Sequence, residues 1–364
     1  MPAKSSLLAL VPRWLRGLEA PVALVAGCSA VACAPIPSPI PAPTAYDLRC
    51  FDTVSGVRWL LSEDAGRPTL DRWCSSVGPP VLTVRSPQQG QVARLLVVTW
   101  NIHVGGGIVK DFLAKHWTDR ERTGLVLLLQ EAYRSGDAVP GSYPKDLNVP
   151  SAIRPKPRSP EIGELANDLG LSVAYVPSMR NGRDTAGDHR EDRGNAILSS
   201  EPLSDVIALE LPFGKQRRVA LAGTVRPRSL GIGPVRVVAT HFDVGAGRFA
   251  QAQALRHRLD DLLDLPMIIG GDFNSREGLN DDTVRTIGSR IPIEACETGR
   301  TIRWPLRLDK LAFFIGRFDF IFSTLGTDIS RKCRTIQEAF RSDHLPVVLT
   351  ISFAPGMTTT KPMT

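Results

Sequence analysis

Polar and ionisable residues stand at the ends of several short apolar segments of the chain. Each segment has the composition of a buried strand, and a strand end is rigid yet opens onto a face lined by loops. Carboxylates, imidazoles and amides brought together there would suit proton transfer and the binding of a cation. Six segments show this pattern, at Asn101, Glu131, His241, Asp272 with Asn274, Asp319, and Asp343 with His344.

Most of these residues, taken one at a time, are compatible with an ordinary structural role such as an Asx turn or a hydrogen-bonded core histidine. Asp319 is the exception, because it lies within the apolar run Phe-Asp-Phe-Ile-Phe. A carboxylate in such a strand is costly unless it is hydrogen-bonded, so we expect it to pair with a histidine. The repetition of the pattern in six segments favours one shared site over six unrelated roles.

The elements that would position these residues follow from the spacing of apolar residues. Strands are predicted over 93–102 and 124–130, and four or five more follow between 171 and 242, where short turns indicate antiparallel pairing. Further strands are predicted at MIIGG, RFDFIF and PVVLTISF, and helices over 108–120, 164–170 and 247–265. Strand runs mixed with a few helices indicate an α+β or layered α/β fold.

Composition places the chain among ordinary globular proteins. Of its 364 residues, 43% are hydrophobic and 22% are charged, which excludes disorder as the main state. Beyond the N-terminus, no apolar run approaches the roughly 20 residues that span a bilayer, which excludes a polytopic membrane protein. The net charge of +7 suits an acidic partner, either nucleic acid or an anionic membrane, and equally an unspecialised basic surface.

The first 33 residues have the pattern of an export signal. Basic residues precede an apolar stretch, Ala20 to Ala32, which is too short to cross a membrane. Cys28 and Cys33 each follow small residues, as in a bacterial lipoprotein signal, and plain cleavage is the alternative. We expect an exported protein that is periplasmic, secreted or anchored to a membrane through an N-terminal lipid.

The rest of the chain divides by composition. In residues 34–45, proline alternates with other residues, a pattern that predicts an extended tether. Residues 46–90 are expected to form a small N-terminal segment. The main domain is expected over 91–354, followed by a disordered tail at 355–364.

Four cysteines lie beyond the signal, and an oxidising compartment favours their pairing. Three connectivities are possible, and the sequence does not select one. Proximity in the chain favours Cys50 with Cys74 and Cys296 with Cys333.

Seven motifs resemble, in residue type and in order, those of the endonuclease/exonuclease/phosphatase superfamily. They are TWNIH, LLQEAY, RGNAILS, THFDVG, GGDFNS, RFDFIF and SDHLPVV, and they cover about residues 91–354. This group includes DNase I, abasic-site endonucleases of the exonuclease III type, neutral sphingomyelinases and inositol polyphosphate 5-phosphatases. The resemblance implies a four-layer α/β sandwich of two packed mixed β-sheets with outer helices, and a site at one edge where strand ends converge.

The resemblance also implies a divalent cation, expected to be Mg²⁺ with Mn²⁺ or Ca²⁺ as alternatives. Glu131 would be its principal ligand, with Asn101 and Asp343 completing the site. These are oxygen donors, which a hard cation prefers, and the cation would neutralise charge on a phosphate.

The catalytic roles are implied in the same way. His344 would pair with Asp319 and either activate water or stabilise the phosphorane, and Asp272 is an alternative general base. His241 and Asn274 would hydrogen-bond the non-bridging phosphate oxygens.

The loop 179–193 and the residues after it are a candidate wall of the site. Asn195 and Arg193 are expected to bind substrate, and Glu191 or Asp192 to orient His241.

Three functions remain open. The first is hydrolysis of phosphodiester bonds in nucleic acid, with basic residues in 145–158 and 300–310 following the phosphate backbone. The second is a phospholipid phosphodiesterase of the sphingomyelinase type, or a phosphatase, on the same scaffold. The third is an inactive binding module, which the complete acidic and histidine set disfavours. No protein partner is implied.

Overall fold

The computed structural model describes the greater part of the chain beyond residue 55. The described residues are 56–61, 67–86, 89–147, 149, 153–182, 190–228, 232–275, 277–289, 294–296, 299–302, 316–326 and 329–352. The predicted signal, the tether, Cys50 and the tail lie outside them, so those expectations stay predictions. Within the described residues, no helix combines the length and the apolar character needed to cross a membrane.

The described strands form two mixed sheets of seven strands each. The first sheet contains, in spatial order, β1 (Arg58–Leu60), β7 (Leu203–Glu210), β8 (Val219–Val225), β9 (Val235–His241), β10 (Met267–Asp272), β12 (Asp319–Ser323) and β11 (Glu294–Ala295). The second contains β13 (Ser330–Thr335), β14 (Val347–Ser352), β3 (Arg94–Asn101), β4 (Thr123–Ser135), β6 (Glu191–Ser199), β5 (Ser172–Arg180) and β2 (Val81–Thr83).

Five α-helices are present in the described part of the chain. They are α1 (Arg67–Cys74), α2 (Val109–His116), α3 (Ile162–Leu169), α4 (Gly247–Asp260) and α5 (Asp282–Gly288). The three predicted helices are therefore confirmed as α2, α3 and α4, although α2 and α4 end earlier than expected. Helix α3 begins where the Glu161 side chain accepts a hydrogen bond from the Glu164 backbone N–H, and it ends at Gly170, whose φ is 66°.

Alternation along the strands explains why the sheets pack on both faces. In β3, Leu95 and Val97 join a core between the two sheets, whereas Leu96, Val98 and Trp100 face the other way, toward α2 and α3. A third core packs the outer face of the first sheet against α4 and α5. The result is the predicted four-layer α/β sandwich, with one helical layer outside each sheet.

The run of strands after α3 is antiparallel within each sheet, but it is divided between the sheets. Strand β5 pairs antiparallel with β6, β7 with β8, and β8 with β9, yet β6 and β7 belong to different sheets. The apolar pattern does not show this change, because strands buried on both faces look alike in either sheet.

The disulfide between Cys296 and Cys333 is confirmed, with a Cα–Cα distance of 5.6 Å. It connects the residue after β11 to β13, and so joins the edge strands of the two sheets. Cys74 is also disulfide-bonded. Its expected pairing with Cys50 stays a prediction, because Cys50 is outside the described residues.

Candidate functional site

Three of the residues singled out in the sequence form a row across the first sheet. Strands β9 and β10 are parallel and place His241 beside Asp272, and the antiparallel β12 places Asp319 on the other side of Asp272. All three residues are buried. The row lies at the edge where β9 and β10 end, as the position of these residues at strand ends predicts.

Asp319 pairs with His344, as the apolar run around the aspartate predicts. Oδ2 of Asp319 lies 2.8 Å from Nδ1 of His344, close enough for the ring N–H to donate to the carboxylate. Two further contacts fix the partners: the Asp319 backbone N–H donates to Oγ1 of Thr301 over 3.0 Å, and the Trp100 indole N–H donates to the His344 carbonyl over 3.0 Å. The imidazole is therefore held in one orientation, with Nε2 directed away from Asp319.

Asp272 lies at the centre of the site and connects the two sheets. Its Oδ2 accepts a hydrogen bond from Nδ2 of Asn101 at the end of β3 over 3.0 Å. The same oxygen lies 3.4 Å from Nε2 of His241 and 3.6 Å from Nε2 of His344. Its Oδ1 accepts from the Asn274 backbone N–H over 2.9 Å. Asp272 therefore stands between the two imidazoles that sequence reasoning placed in the site.

Burial sets different charge states on these neighbouring groups. Burial raises the pKa of Asp272 to about 6, although the positive charge of His344 opposes the shift. Burial alone would lower the pKa of His344, but the carboxylates of Asp319 and Asp272 outweigh it and raise the pKa to about 10. Burial, together with the cation of Arg218, holds the pKa of His241 well below its usual range. Near neutral pH, His344 is protonated and His241 is neutral.

Glu131 lies at an irregularity of β4. The pairing of β4 with β6 shifts register between Leu129 and Ala132, and Glu131 has a φ of 52°. A β-bulge of this kind turns a side chain away from the regular strand alternation and is frequent beside functional sites. The bulge follows the apolar core of β4, and Glu131 comes directly after Gln130, which pairs with Asn101 at the end of β3.

His103 links the predicted cation ligands and was not singled out in the sequence. Its Nδ1 lies 3.1 Å from Oδ1 of Asp343, and its backbone N–H donates to Oδ1 of Asn101 over 3.0 Å. The hydrogen bond to Asp343 raises the pKa of His103, against the opposing effect of burial, and the charge of Glu131 adds to the increase. Both predicted carboxylate ligands therefore favour a positive charge at this place.

The donor set fits a hard divalent cation. Glu131, Asp343 and Asn101 all offer oxygen atoms, and Asp343 has 41% of its side chain exposed. The Nη1 atom of Arg193 lies 3.8 Å from Oε1 of Glu131. The negative potential that raises the pKa of His103 is the potential that would attract a metal ion.

A second group of potential ligands lies deeper in the site. One ligand atom from each of Asp272, Asp319 and His344 falls within 4.8 Å of the others. This group includes an imidazole nitrogen whose ring already bonds Asp319 through Nδ1, and nitrogen donors suit zinc and other transition metals better than Mg²⁺. For Mg²⁺ we therefore favour the oxygen donors around Glu131.

Two buried arginines contribute positive charge to the site. Arg193 lies on β6 beside Glu131, and Arg218 precedes β8. The Nε atom of each has no hydrogen-bond partner among the described residues. Burial lowers the pKa of Arg218 to about 10, against the attraction of Glu131. Arg193 was predicted to contact substrate, whereas Arg218 was missed, because nothing in the sequence places the residue before β8 near His241.

The remaining predicted residues have contacts within the protein. The side-chain amide of Asn195 donates to the Val219 carbonyl over 2.7 Å and so joins β6 to β8 of the other sheet. The amide of Asn274 donates to the Phe242 carbonyl over 2.8 Å. Both residues stand beside the site, and their roles toward a phosphate stay predictions.

The expectation that Glu191 or Asp192 orients His241 is wrong. Glu191 forms a bidentate pair with Arg158, at 3.0 Å for each bond. Asp192 instead accepts hydrogen bonds from Arg134 and, over 2.7 Å, from the Tyr175 hydroxyl. Asp272 takes the predicted place beside His241, because the parallel pairing of β9 and β10 brings these two together.

Only some of the basic residues in 145–158 that were expected to follow a phosphate backbone are available to bind one. Arg158 is committed to Glu191, and Nε of Arg154 lies 3.8 Å from the same carboxylate, whereas Lys145 and Lys156 are exposed. Of the second basic segment, 300–310, the described residues include only 300–302.

Comparison with known proteins gives one family match. A model described as the Endonuclease/Exonuclease/phosphatase family matches residues 98–344, and no curated protein matches the chain.

Similar solved structures include an endonuclease/exonuclease/phosphatase from Beutenbergia cavernae DSM 12333, with 20% identity, 72% of each chain covered and a TM-score of 0.47. The human Nocturnin catalytic domain with bound sulfate anion has 16% identity, covers 74% of this chain and 97% of its own, and has a TM-score of 0.49. TDP2 from Caenorhabditis elegans, in truncated form, has 16% identity, coverages of 72% and 98%, and a TM-score of 0.45.

The family match spans more than half of the chain and contains every residue singled out for chemistry, from Asn101 to His344. The chain belongs to the endonuclease/exonuclease/phosphatase family, whose members are hydrolytic phosphoesterases.

Proposed function

We propose that the protein is a metal-dependent phosphodiesterase that hydrolyses nucleic acid. The observation that carries the proposal is the position of Asp272, whose Oδ2 contacts Asn101 and lies 3.4 Å and 3.6 Å from the imidazoles of His241 and His344. Acid, base and hydrogen-bond donors thus surround one point at the edge of both sheets. This arrangement suits in-line attack of water on a phosphate.

The charge states support a division of roles. A pKa of about 6 leaves Asp272 ionised at neutral pH, so it would orient the attacking water and accept its proton. A pKa of about 10 keeps His344 protonated, so its Nε2–H would donate to the phosphate oxygen on which charge develops. Asp319 would hold the ring and stabilise its positive charge. Neutral His241 and Asn274 would hydrogen-bond the non-bridging oxygens.

Glu131, Asp343 and Asn101 would hold the cation. A bound Mg²⁺ would neutralise charge on the phosphate and on the leaving oxygen. Arg193 and Arg218 would add positive charge, since each leaves a buried guanidinium nitrogen without a hydrogen-bond partner among the described residues. Buried cations are stabilised by nearby anions, and a phosphate group would add to the negative charge that Glu131 already supplies.

The charge of the protein supports nucleic acid as the substrate. The net charge of +7 and the exposed Lys145 and Lys156 favour a polyanion.

The N-terminal signal pattern and the disulfide Cys296–Cys333 favour an oxidising compartment outside the cytoplasm. Mass spectrometry of the native N-terminus tests export: cleavage at Cys28 or Cys33 supports it, and an intact Met1 on a cytosolic protein contradicts it.

A side-by-side assay tests the substrate class. The purified protein with Mg²⁺ is incubated with single-stranded DNA, RNA, plasmid DNA, sphingomyelin vesicles and inositol phosphates, and His344→Ala is the matched inactive control. We expect cleavage of the nucleic acids by the wild-type protein alone. Hydrolysis of sphingomyelin without cleavage of nucleic acid would replace this proposal with a phospholipid phosphodiesterase.

A further inference from the structure

Exposed aromatic side chains are confined to one place in the described part of the chain. Phe213 has 43% and Phe249 has 41% of its surface exposed, and every other described Phe, Tyr and Trp is more deeply buried than these two. Phe213 lies in the connection from β7 to β8, and Phe249 lies in the first turn of α4. Single exposed apolar residues are ordinary, but apolar side chains that form one patch are a candidate surface for a ligand.

The two loops that carry these rings are in direct contact. Gly214 directly follows Phe213, and Gly247 comes two residues before Phe249. A Cβ atom placed on Gly247 would lie 3.1 Å from the Cα of Gly214, so the two backbones are in contact beside the rings. A Cβ on Gly214 would come within 2.3 Å of Oδ2 of Asp243, so only glycine allows this approach. Phe213 and Phe249 therefore stand on one continuous surface, which we call the aromatic rim.

Buried polar contacts make the aromatic rim rigid. The Asp243 carboxylate accepts hydrogen bonds from three backbone N–H groups, those of Lys215, Gln216 and Val244. Gln251 accepts from the Asp243 backbone N–H over 2.8 Å and donates to the Pro212 carbonyl over 2.9 Å. Exposed rings on such a support lose little conformational entropy when they bind a flat partner.

The aromatic rim lies beside the phosphate site. The loop 242–246 directly follows His241, the last residue of β9. The Asn274 side chain donates to the Phe242 carbonyl, and the Phe242 backbone N–H donates to the Asp272 carbonyl over 2.9 Å. A group that is covalently attached to a phosphate held by His241 and Asn274 would therefore extend over this loop.

We propose that Phe213 and Phe249 stack against bases of a single-stranded nucleic acid that flank the scissile phosphate. Rings beside an exposed cation are the usual platform for unpaired bases, and Lys215 is exposed between the two loops. A zwitterionic bilayer fits less well, because it would leave the charge of Lys215 without a net counter-charge, whereas a phosphodiester backbone supplies one. This inference rests on the proposed function, since it names the form of the substrate.

Binding without turnover tests the inference separately from catalysis. Fluorescence anisotropy in EDTA compares a labelled oligothymidylate with the same backbone carrying abasic tetrahydrofuran residues. We expect the wild-type protein to bind the thymidylate about tenfold more tightly, and Phe213→Ala with Phe249→Ala to remove this difference. Phe213→Leu with Phe249→Leu, which keeps the apolar surface but lacks the rings, should remove it as well.

Leu263→Ala is the matched control, since Leu263 is 44% exposed and follows the far end of α4, roughly 20 Å from the rim. Its preference for thymidylate should equal that of the wild-type protein. Equal wild-type affinity for both oligonucleotides would overturn stacking, and so would vesicle binding lost in the alanine pair but retained in the leucine pair. If the base-dependent binding is present but Mg²⁺ yields no cleavage, the proposed function fails and the stacking site remains.

Discussion

Asp319 of the first sheet is hydrogen-bonded to His344, which lies just before a strand of the second sheet, with 2.8 Å between Oδ2 of the aspartate and Nδ1 of the histidine. The aspartate is fully buried and begins β12, whereas the histidine precedes β14. The pair therefore depends on the packing of the sandwich, and it fixes the ring in one orientation.

Replacing either partner should lower kcat more than it changes KM. Asp319→Asn keeps the volume but misorients the ring and removes the charge that favours imidazolium, so we expect kcat to fall by about 100-fold or more. His344→Ala should lower kcat by at least the same factor. Steady-state kinetics on a nucleic acid substrate measure both parameters. The double variant should be no slower than His344→Ala, and additive losses would show that the two residues act independently.

The rate should follow a bell-shaped dependence on pH. Asp272 must be ionised to accept a proton, so kcat/KM should rise as the pH increases through its raised pKa of about 6. His344 must be protonated, so kcat/KM should fall as the pH increases through its pKa of about 10. Asp272→Asn should be much slower and should lack the acidic limb. A wild-type rate that does not change between pH 5 and 8 would contradict a base with this pKa.

Cation binding should depend on Glu131. Loss of a group that only orients a metal ligand commonly weakens metal binding by about 10- to 100-fold. Glu131 is proposed as a ligand itself, so Glu131→Gln should weaken Mg²⁺ binding by about tenfold or more. Isothermal titration with Mg²⁺ and with Mn²⁺ measures this without reference to activity. Glu338→Gln is the control, because Glu338 is a half-exposed acid paired with Lys115 at 2.8 Å. Equal loss in both variants would mean that Glu131 has no special role.

The stability of the domain should depend on Asp192. Its carboxylate contacts the buried guanidinium of Arg134, the Tyr175 hydroxyl and, over 2.8 Å, the backbone N–H of Gly78. Asp192→Ala would leave Arg134 buried without its counter-ion, which costs about 3–5 kcal/mol and should lower Tm by about 10 °C. Tyr175→Phe removes one hydrogen bond and should cost only about 1 kcal/mol. Thermal unfolding followed by circular dichroism compares the two, and equal shifts would argue against a buried ion pair.

Several parts of the site could be predicted because they depend on short stretches of sequence. The Asp319 carboxylate lies in an apolar strand and therefore needs a hydrogen-bond partner. His241, Asp272 and Asn101 could be identified because each stands at the end of an apolar strand. The disulfide Cys296–Cys333 followed from proximity in the chain and is confirmed. The layers of the fold followed from the family resemblance of the motifs.

Other parts could not be predicted because they depend on packing between distant segments. The division of β6 and β7 between two sheets has no local signal, and it decides which residues meet Asn195. Arg218 reaches the site only because β8 lies beside β9. Glu191 and Asp192 looked available to His241 in the sequence, but arginines on neighbouring segments bind both of them.

The initial rate of cleavage of a labelled single-stranded oligonucleotide tests the central claim most directly. It is measured with Mg²⁺ for the wild-type protein, for Glu131→Gln and for Glu338→Gln, and again for the wild-type protein in excess EDTA. A metal-dependent phosphodiesterase at this site predicts rapid cleavage by the wild-type protein and by Glu338→Gln. The same account predicts at least a 100-fold lower rate for Glu131→Gln and no cleavage in EDTA. Undiminished cleavage by Glu131→Gln or in EDTA, or no cleavage by the folded wild-type protein, would contradict it.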